Sequence, residues 1–119
     1  MRHTARRNDI AKYERTVSGN FSAIVNTLHN AVMNGSVSAS LEDESDLSNG
    51  PFRCFVRVYE RYSWFGGNRV SMTIVVAGTE GKFRITVITA GGSEGIFFKL
   101  NRVGEKSFLN TVIDAIEQL

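Results

Sequence analysis

The chain has one cysteine, one proline, two histidines and almost no net charge, and each shortage removes a class of explanation. With Cys54 alone, no internal disulfide can form and a thiolate metal site has no second ligand. Cys54 falls in register with Phe52 and Val56, which predicts a core thiol rather than a nucleophile. His3 and His29 have no further ligand at recognisable spacing, so neither a metal nor a cofactor is expected. No stretch approaches the roughly 18 apolar residues of a membrane span, and the N-terminus lacks the apolar segment of a signal peptide. A cytoplasmic protein is the default expectation, and the sequons at Asn20 and Asn34 then carry no meaning. The formal charge is +2, and residues 1 to 10 hold Arg2, Arg6 and Arg7 against Asp9. The remainder is balanced, which argues against a nucleic-acid partner, since phosphate affinity needs accumulated Lys and Arg.

What is present suits one compact unit of 119 residues with 42% hydrophobic side chains. Residues 1–10 are basic and nearly devoid of apolar side chains and predict a mobile tail, leaving 11–119 as a single α+β domain. The organising stretch is Phe52 to Ala90, three segments that alternate with the period of two of half-buried strands. Phe52, Cys54, Val56 and Val58 form one row, Val70, Met72, Ile74 and Val76 a second, Phe83, Ile85 and Val87 a third. These rows predict one apolar sheet face, with helices as the covering layer.

Before that stretch, Tyr13 to Val17 predicts an edge strand, and Ser18-Gly19-Asn20 a turn and helix cap. Phe21, Ile24, Val25, Leu28, Ala31 and Val32 recur at helical spacing. Asn34-Gly35 predicts a left-handed stop to that helix. Ser36 to Leu41 alternates and predicts a strand, followed by an acidic turn over Glu42-Asp43-Glu44-Ser45-Asp46; an EF-hand loop is not supported, because its glycine and terminal glutamate are missing. Later turns fall at Phe65-Gly66-Gly67-Asn68 and Gly78-Thr79-Glu80-Gly81. Ile96 to Leu100 is a last strand or a packed loop, and Phe108 to Leu119 carries the broad apolar stripe of a final helix. Strand, helix, four or five antiparallel strands, helix is the order shared by helix-grip domains, TATA-binding-protein-like and Bet v 1-like, which host unrelated functions.

Several phrases resemble a family of small, uncharacterised bacterial proteins classed as a domain of unknown function. They are Gly35-Ser36 with Ser38 to Asp43, Tyr59-Glu60-Arg61-Tyr62-Ser63 with Gly67 to Ser71, Ile88 to Ser93, and Phe97 to Asn101 with Gly104-Glu105. The resemblance covers about residues 11 to 119 and implies no activity, ligand or catalytic residue.

Two constellations stand out. Strict alternation puts Glu60, Tyr62 and Trp64 on the row of Val56 and Val58; with Met72 and Phe98 they would line a cavity between sheet and final helix, suited to a small apolar or amphipathic ligand. Alternatively the sheet runs out past Val58, or a bulge resets the register, and Glu60 is left in solvent beside Arg61. The opposite row, Arg53, Phe55, Arg57, Tyr59 and Arg61, would share an open face with Thr73, Val75, Arg84, Thr86 and Ile88. Such a face is a solvated surface, a self-association surface or, less in keeping with the charge balance, a platform for single-stranded bases. Gly91-Gly92-Ser93-Glu94-Gly95 lacks the lysine of a phosphate loop, and Gly104-Glu105-Lys106-Ser107 has the wrong order. The expectation is therefore a non-enzymatic ligand-binding module, with a homo-oligomeric interaction module as the alternative and an enzyme, by way of a Cys54 and His29 dyad, third.

Overall fold

A computed structural model describes residues 10–62, 69–91 and 107–119. The chain runs β1 (Ile10–Ser18), α1 (Phe21–Gly35), β2 (Ser40–Asp46), β3 (Arg53–Tyr62), β4 (Arg69–Thr79), β5 (Lys82–Ala90) and α2 (Phe108–Glu117). The five strands form one antiparallel sheet in the order β1-β5-β4-β3-β2. The first and second strands thus lie at opposite edges, and α1 carries the chain across the sheet between them. Both helices lie on the same face. The fold is α+β with a two-layer core, as the sequence predicts.

Asn20 caps α1, its side chain accepting from the Ala23 amide at 2.9 Å, and Ser107 caps α2 through the Asn110 amide at 3.1 Å. Phe21, Ile24, Val25, Leu28 and Val32 of α1 meet Phe108, Leu109, Val112, Ile113 and Ile116 of α2 in one buried cluster. The sheet contributes Val70, Met72, Ile74 and Val76 from β4 and Phe83, Ile85 and Val87 from β5. These are the rows expected from alternation.

Four local expectations are corrected. The first strand begins at Ile10, inside the segment read as tail. Gly35 does not end α1 in a left-handed turn: Ser36, the cap residue, is extended at φ −154°. Its missing side chain serves packing instead, since a Cβ there would stand 3.0 Å from Cβ of Thr111 on α2. Residues 36 to 39 precede the second strand, and the acidic stretch read as a turn is itself that strand, paired with β3 and bulged between Leu41 and Asp43. The four carboxylates and the bulge are what a tolerated edge strand carries, because they discourage pairing with a further chain. Gly78 and Thr79 belong to β4, and only Glu80 and Gly81 make the following turn. The turn at 65–68, the 96–100 run and most of the tail lie outside the described residues.

The largest correction concerns β3. Its pairing with β4 sets Phe55 opposite Val76, Arg57 opposite Ile74, Tyr59 opposite Met72 and Arg61 opposite Val70. Directly paired residues share a face, so the Arg and aromatic row faces the helices and Cys54, Val56, Val58, Glu60 and Tyr62 face away. Arginine is tolerated there because each guanidinium lies over a ring: Arg53 over Phe21 at 4.2 Å, Arg57 over Phe55 at 4.5 Å and Arg61 over Phe108 at 4.8 Å. Burying Phe55 and Tyr59 beneath α1 also removes more apolar surface from water than burying the smaller Cys54, Val56 and Val58 would.

Candidate functional site

The register of β3 redistributes the residues singled out in the sequence. Glu60 and Tyr62 sit on the bare face, where Glu60 pairs with Arg69 at 2.6 Å and Arg69 lies 5.3 Å from the Tyr62 ring centre. Met72 is fully buried on the helix side. These three therefore line no common cavity, and Trp64 and Phe98 lie outside the described residues. Arg53, Phe55, Arg57, Tyr59 and Arg61, expected on the open face, are on the covered one. Cys54 is only 9% exposed, yet it lies on the bare face, outside the helix-side cluster. His29 belongs to α1 on the other side of the sheet, so the two form no dyad. Among the described residues no three metal-ligating side chains converge. No described helix is long and apolar enough to cross a membrane.

The structure assembles two features instead. On the helix side, Glu44 of β2 accepts from Nε of Arg57 at 2.9 Å, Arg57 neighbours Tyr59, and the Tyr59 hydroxyl lies 2.9 Å from Nδ1 of His29. This polar chain borders a shallow apolar cleft lined by Val25, Leu28, Phe55, Ile74 and Val76, with room for about one water molecule. Burial pushes the Tyr59 phenol up; the hydrogen bond and charge of Arg57 pull it back only in part, and Glu44 adds to the rise. Burial works against the Arg57 charge, but Tyr59 and Glu44 outweigh it and hold the guanidinium protonated.

A folded-state pKa above the unfolded value means stability that is full below the unfolded value, about 10 for tyrosine, and lost as pH rises through the folded one. Tyr59→Phe should therefore cost about 1 kcal/mol at neutral pH, by depriving His29 of its partner, and should flatten the alkaline loss of stability. Urea midpoints measured at neutral and alkaline pH check both effects; a parallel alkaline decline in the two proteins would contradict the assignment.

The second feature is the bare face itself. Its centre is apolar: Val56 and Val58 of β3, Val75 and Ala77 of β4, and Ile88 of β5, which is 40% exposed. Leu47 and Phe52 add exposed apolar surface at the β2–β3 hairpin. None of the described elements packs on it. Its borders carry opposite charge. Lys12, Lys82 and Arg84 lie on the β1–β5 side, where Glu14 accepts from the Thr86 hydroxyl at 2.9 Å and pairs with Arg84 at 3.4 Å. The Thr86 hydrogen bond is the main reason that the Glu14 carboxyl is held below its ordinary value, against partial desolvation and with help from Lys12 and Arg84. The β2 side carries Asp43, paired with Val58, and Glu42, whose carboxylate accepts from the Ser40 hydroxyl, whereas Glu44 and Asp46 pair with Arg57 and Phe55 on the helix side. Alternation places Thr73, Val75, Arg84, Thr86 and Ile88 on this face, as the register does, and misplaces only the row that β3 contributes.

A family of unknown function, DUF6054, matches residues 10–119. The chain belongs to that family. No curated protein matches it. Among solved structures, the hypothetical protein jhp0584 from Helicobacter pylori is similar in fold at 9% identity, with a TM-score of 0.54 over 97% of this chain and 95% of that one. The Ran-binding protein Mog1p of Saccharomyces cerevisiae is similar at 9% identity and a TM-score of 0.50. That match covers 91% of this chain but 63% of Mog1p. At such identity the likeness is one of fold alone. Neither protein is described as TATA-binding-protein-like or Bet v 1-like, so the comparisons support the α+β architecture and not that finer likeness.

Proposed function

We propose that this member of the DUF6054 family is a non-catalytic interaction module whose working surface is the bare face of its sheet, and that the occupant of that face is a second copy of the chain. The observation that carries the proposal is an apolar centre on a five-stranded sheet that no described element covers. Five strands about 4.8 Å apart, each rising about 3.3 Å per residue over nine or so residues, make a face of roughly 24 by 30 Å. Pairing two such faces buries on the order of 1,400 Å² in total, within the range of stable complexes. Two stacked sheets would complete a sandwich of the usual kind, about 10 Å apart and with side chains interdigitating.

A second reading keeps a small amphipathic ligand on the helix side, in a helix-grip arrangement. It is favoured by Arg57 and Tyr59, which border an apolar cleft while the Tyr59 hydroxyl meets His29; apolar walls with a few polar groups are the usual composition of a ligand site. One measurement weighs both readings: native mass spectrometry of gently purified protein, paired with sedimentation from micromolar to millimolar concentration. The expected result is a concentration-dependent dimer without added mass. A chain that stays monomeric throughout ends the self-association reading, and a reproducible excess mass on each monomer transfers the function to the cleft.

A further inference from the structure

The bare face has a charge order that selects how two copies would meet. Following the register across the sheet, one straight row runs Lys12, Ile88, Thr73, Val58, Asp43, from β1 to β2. A cation stands at one edge and a carboxylate at the other, with apolar or small side chains between. The adjoining row, Glu14, Thr86, Val75, Val56, Ser45, places Val75 at the middle of the middle strand. Both Lys12 and Asp43 are exposed.

Two face-to-face arrangements with a two-fold axis in the interface keep the strands aligned. An axis perpendicular to the strands stacks β2 on β2 and β1 on β1, which brings the Glu42 and Asp43 edge onto its own copy and the Lys12 edge onto its own, like-charge contacts that disfavour that mode. An axis parallel to the strands, running over β4, sends each edge across the opposite edge of the other copy at the same height.

We infer that the chain pairs with itself about an axis along β4, with Lys12 of each copy meeting Asp43 of the other. This inference rests on the self-association reading of the bare face. The two ion pairs are reciprocal, as a closed two-fold interface requires, and Val75 packs against its own copy at the centre. The crossing of about 30° usual for stacked sheets offsets the edges, and the flexible four-carbon stem of lysine spans the offset. The ion pairs lie at the rim, where they act on orientation and salt dependence more than on total affinity.

The test is a charge swap between copies. At low salt, Lys12→Glu and Asp43→Lys should each weaken the homodimer roughly tenfold or more, because each variant faces two like-charge contacts. An equimolar mixture of the two variants should form a heterodimer at wild-type affinity, since both reciprocal pairs are then opposite in sign. Sedimentation of the separate and mixed variants reads this, with circular dichroism confirming the fold. If the wild type dimerises but the mixture is no tighter than the separate variants, the β4 axis is wrong and the self-association reading stands. If the wild type is monomeric at every concentration, the reading itself fails and the arrangement with it. Should a reversal unfold the chain, a double-mutant cycle on Lys12→Ala and Asp43→Ala replaces it: non-additive losses support the pairing, and additive losses overturn it.

Discussion

Gly78→Ala is expected to leave little folded protein. Gly78 sits inside β4, opposite Phe83 of β5, in the two strands at the heart of the sheet. A Cβ at this position would fall on the Lys82 carbonyl oxygen and stand 2.9 Å from Cα of Phe83. Both neighbours are backbone, so no rotamer change relieves the overlap. Relief requires β4 and β5 to part at the hairpin, where Phe83 packs against Phe21 at 5.4 Å between ring centres. A substitution that disrupts backbone pairing and core packing together belongs with the most damaging single changes, and we expect a loss of about 4 kcal/mol or more. That is most of the stability of an ordinary small domain. Urea unfolding followed by circular dichroism would measure it. A midpoint close to that of the wild type would mean that the hairpin has slack that this close approach does not suggest.

Val75→Lys is expected to abolish pairing while sparing the fold. Val75 is half-buried on the bare face, at the centre of β4. In the monomer a lysine there extends into solvent, and the cost is limited to strand preference, within about 1 kcal/mol. In the dimer the two copies of the residue meet on the axis, so two ammonium groups are brought together and stripped of water in an apolar setting. We expect self-association to weaken by more than about 100-fold, well beyond the effect of a rim charge. Sedimentation and urea unfolding should be run on the same preparation. Undiminished association would place the contact elsewhere on the molecule; a large loss of stability would show that Val75 acts in the core of each monomer.

Gly78 looks in the sequence like one residue of a Gly-Thr-Glu-Gly turn, and nothing local distinguishes it from Gly81. Its importance comes from Lys82 and Phe83 lying across the hairpin. The acidic run from Glu42 to Asp46 likewise has the composition of a solvated turn. It becomes a strand because β3 offers it an unpaired edge, and because Glu44 can meet Arg57 there.

Local physics was enough for most of the architecture. The helical spacing of Phe21 to Val32, the alternation along β4 and β5, and the glycine-bearing turn between them each act within a dozen residues. They determine the α+β class, the antiparallel pairing and the covering helices before any distant contact forms. What they leave open is the parity of β3. Its two rows, one of Cys54, Val56 and Val58 and one of Arg53, Phe55, Arg57, Tyr59 and Arg61, are both credible core faces when counted by polarity. A one-residue slip exchanges them. The choice is made by tertiary contacts, in which Phe21 and Phe108 receive Arg53 and Arg61, Glu44 pairs with Arg57, and His29 meets the Tyr59 hydroxyl. The sequence by itself therefore determined the elements and their order, because these follow from short-range periodicity. Only the tertiary structure decided which side of β3 meets the helices, and so which face is left bare, because that depends on rings and guanidinium groups brought together from opposite ends of the chain.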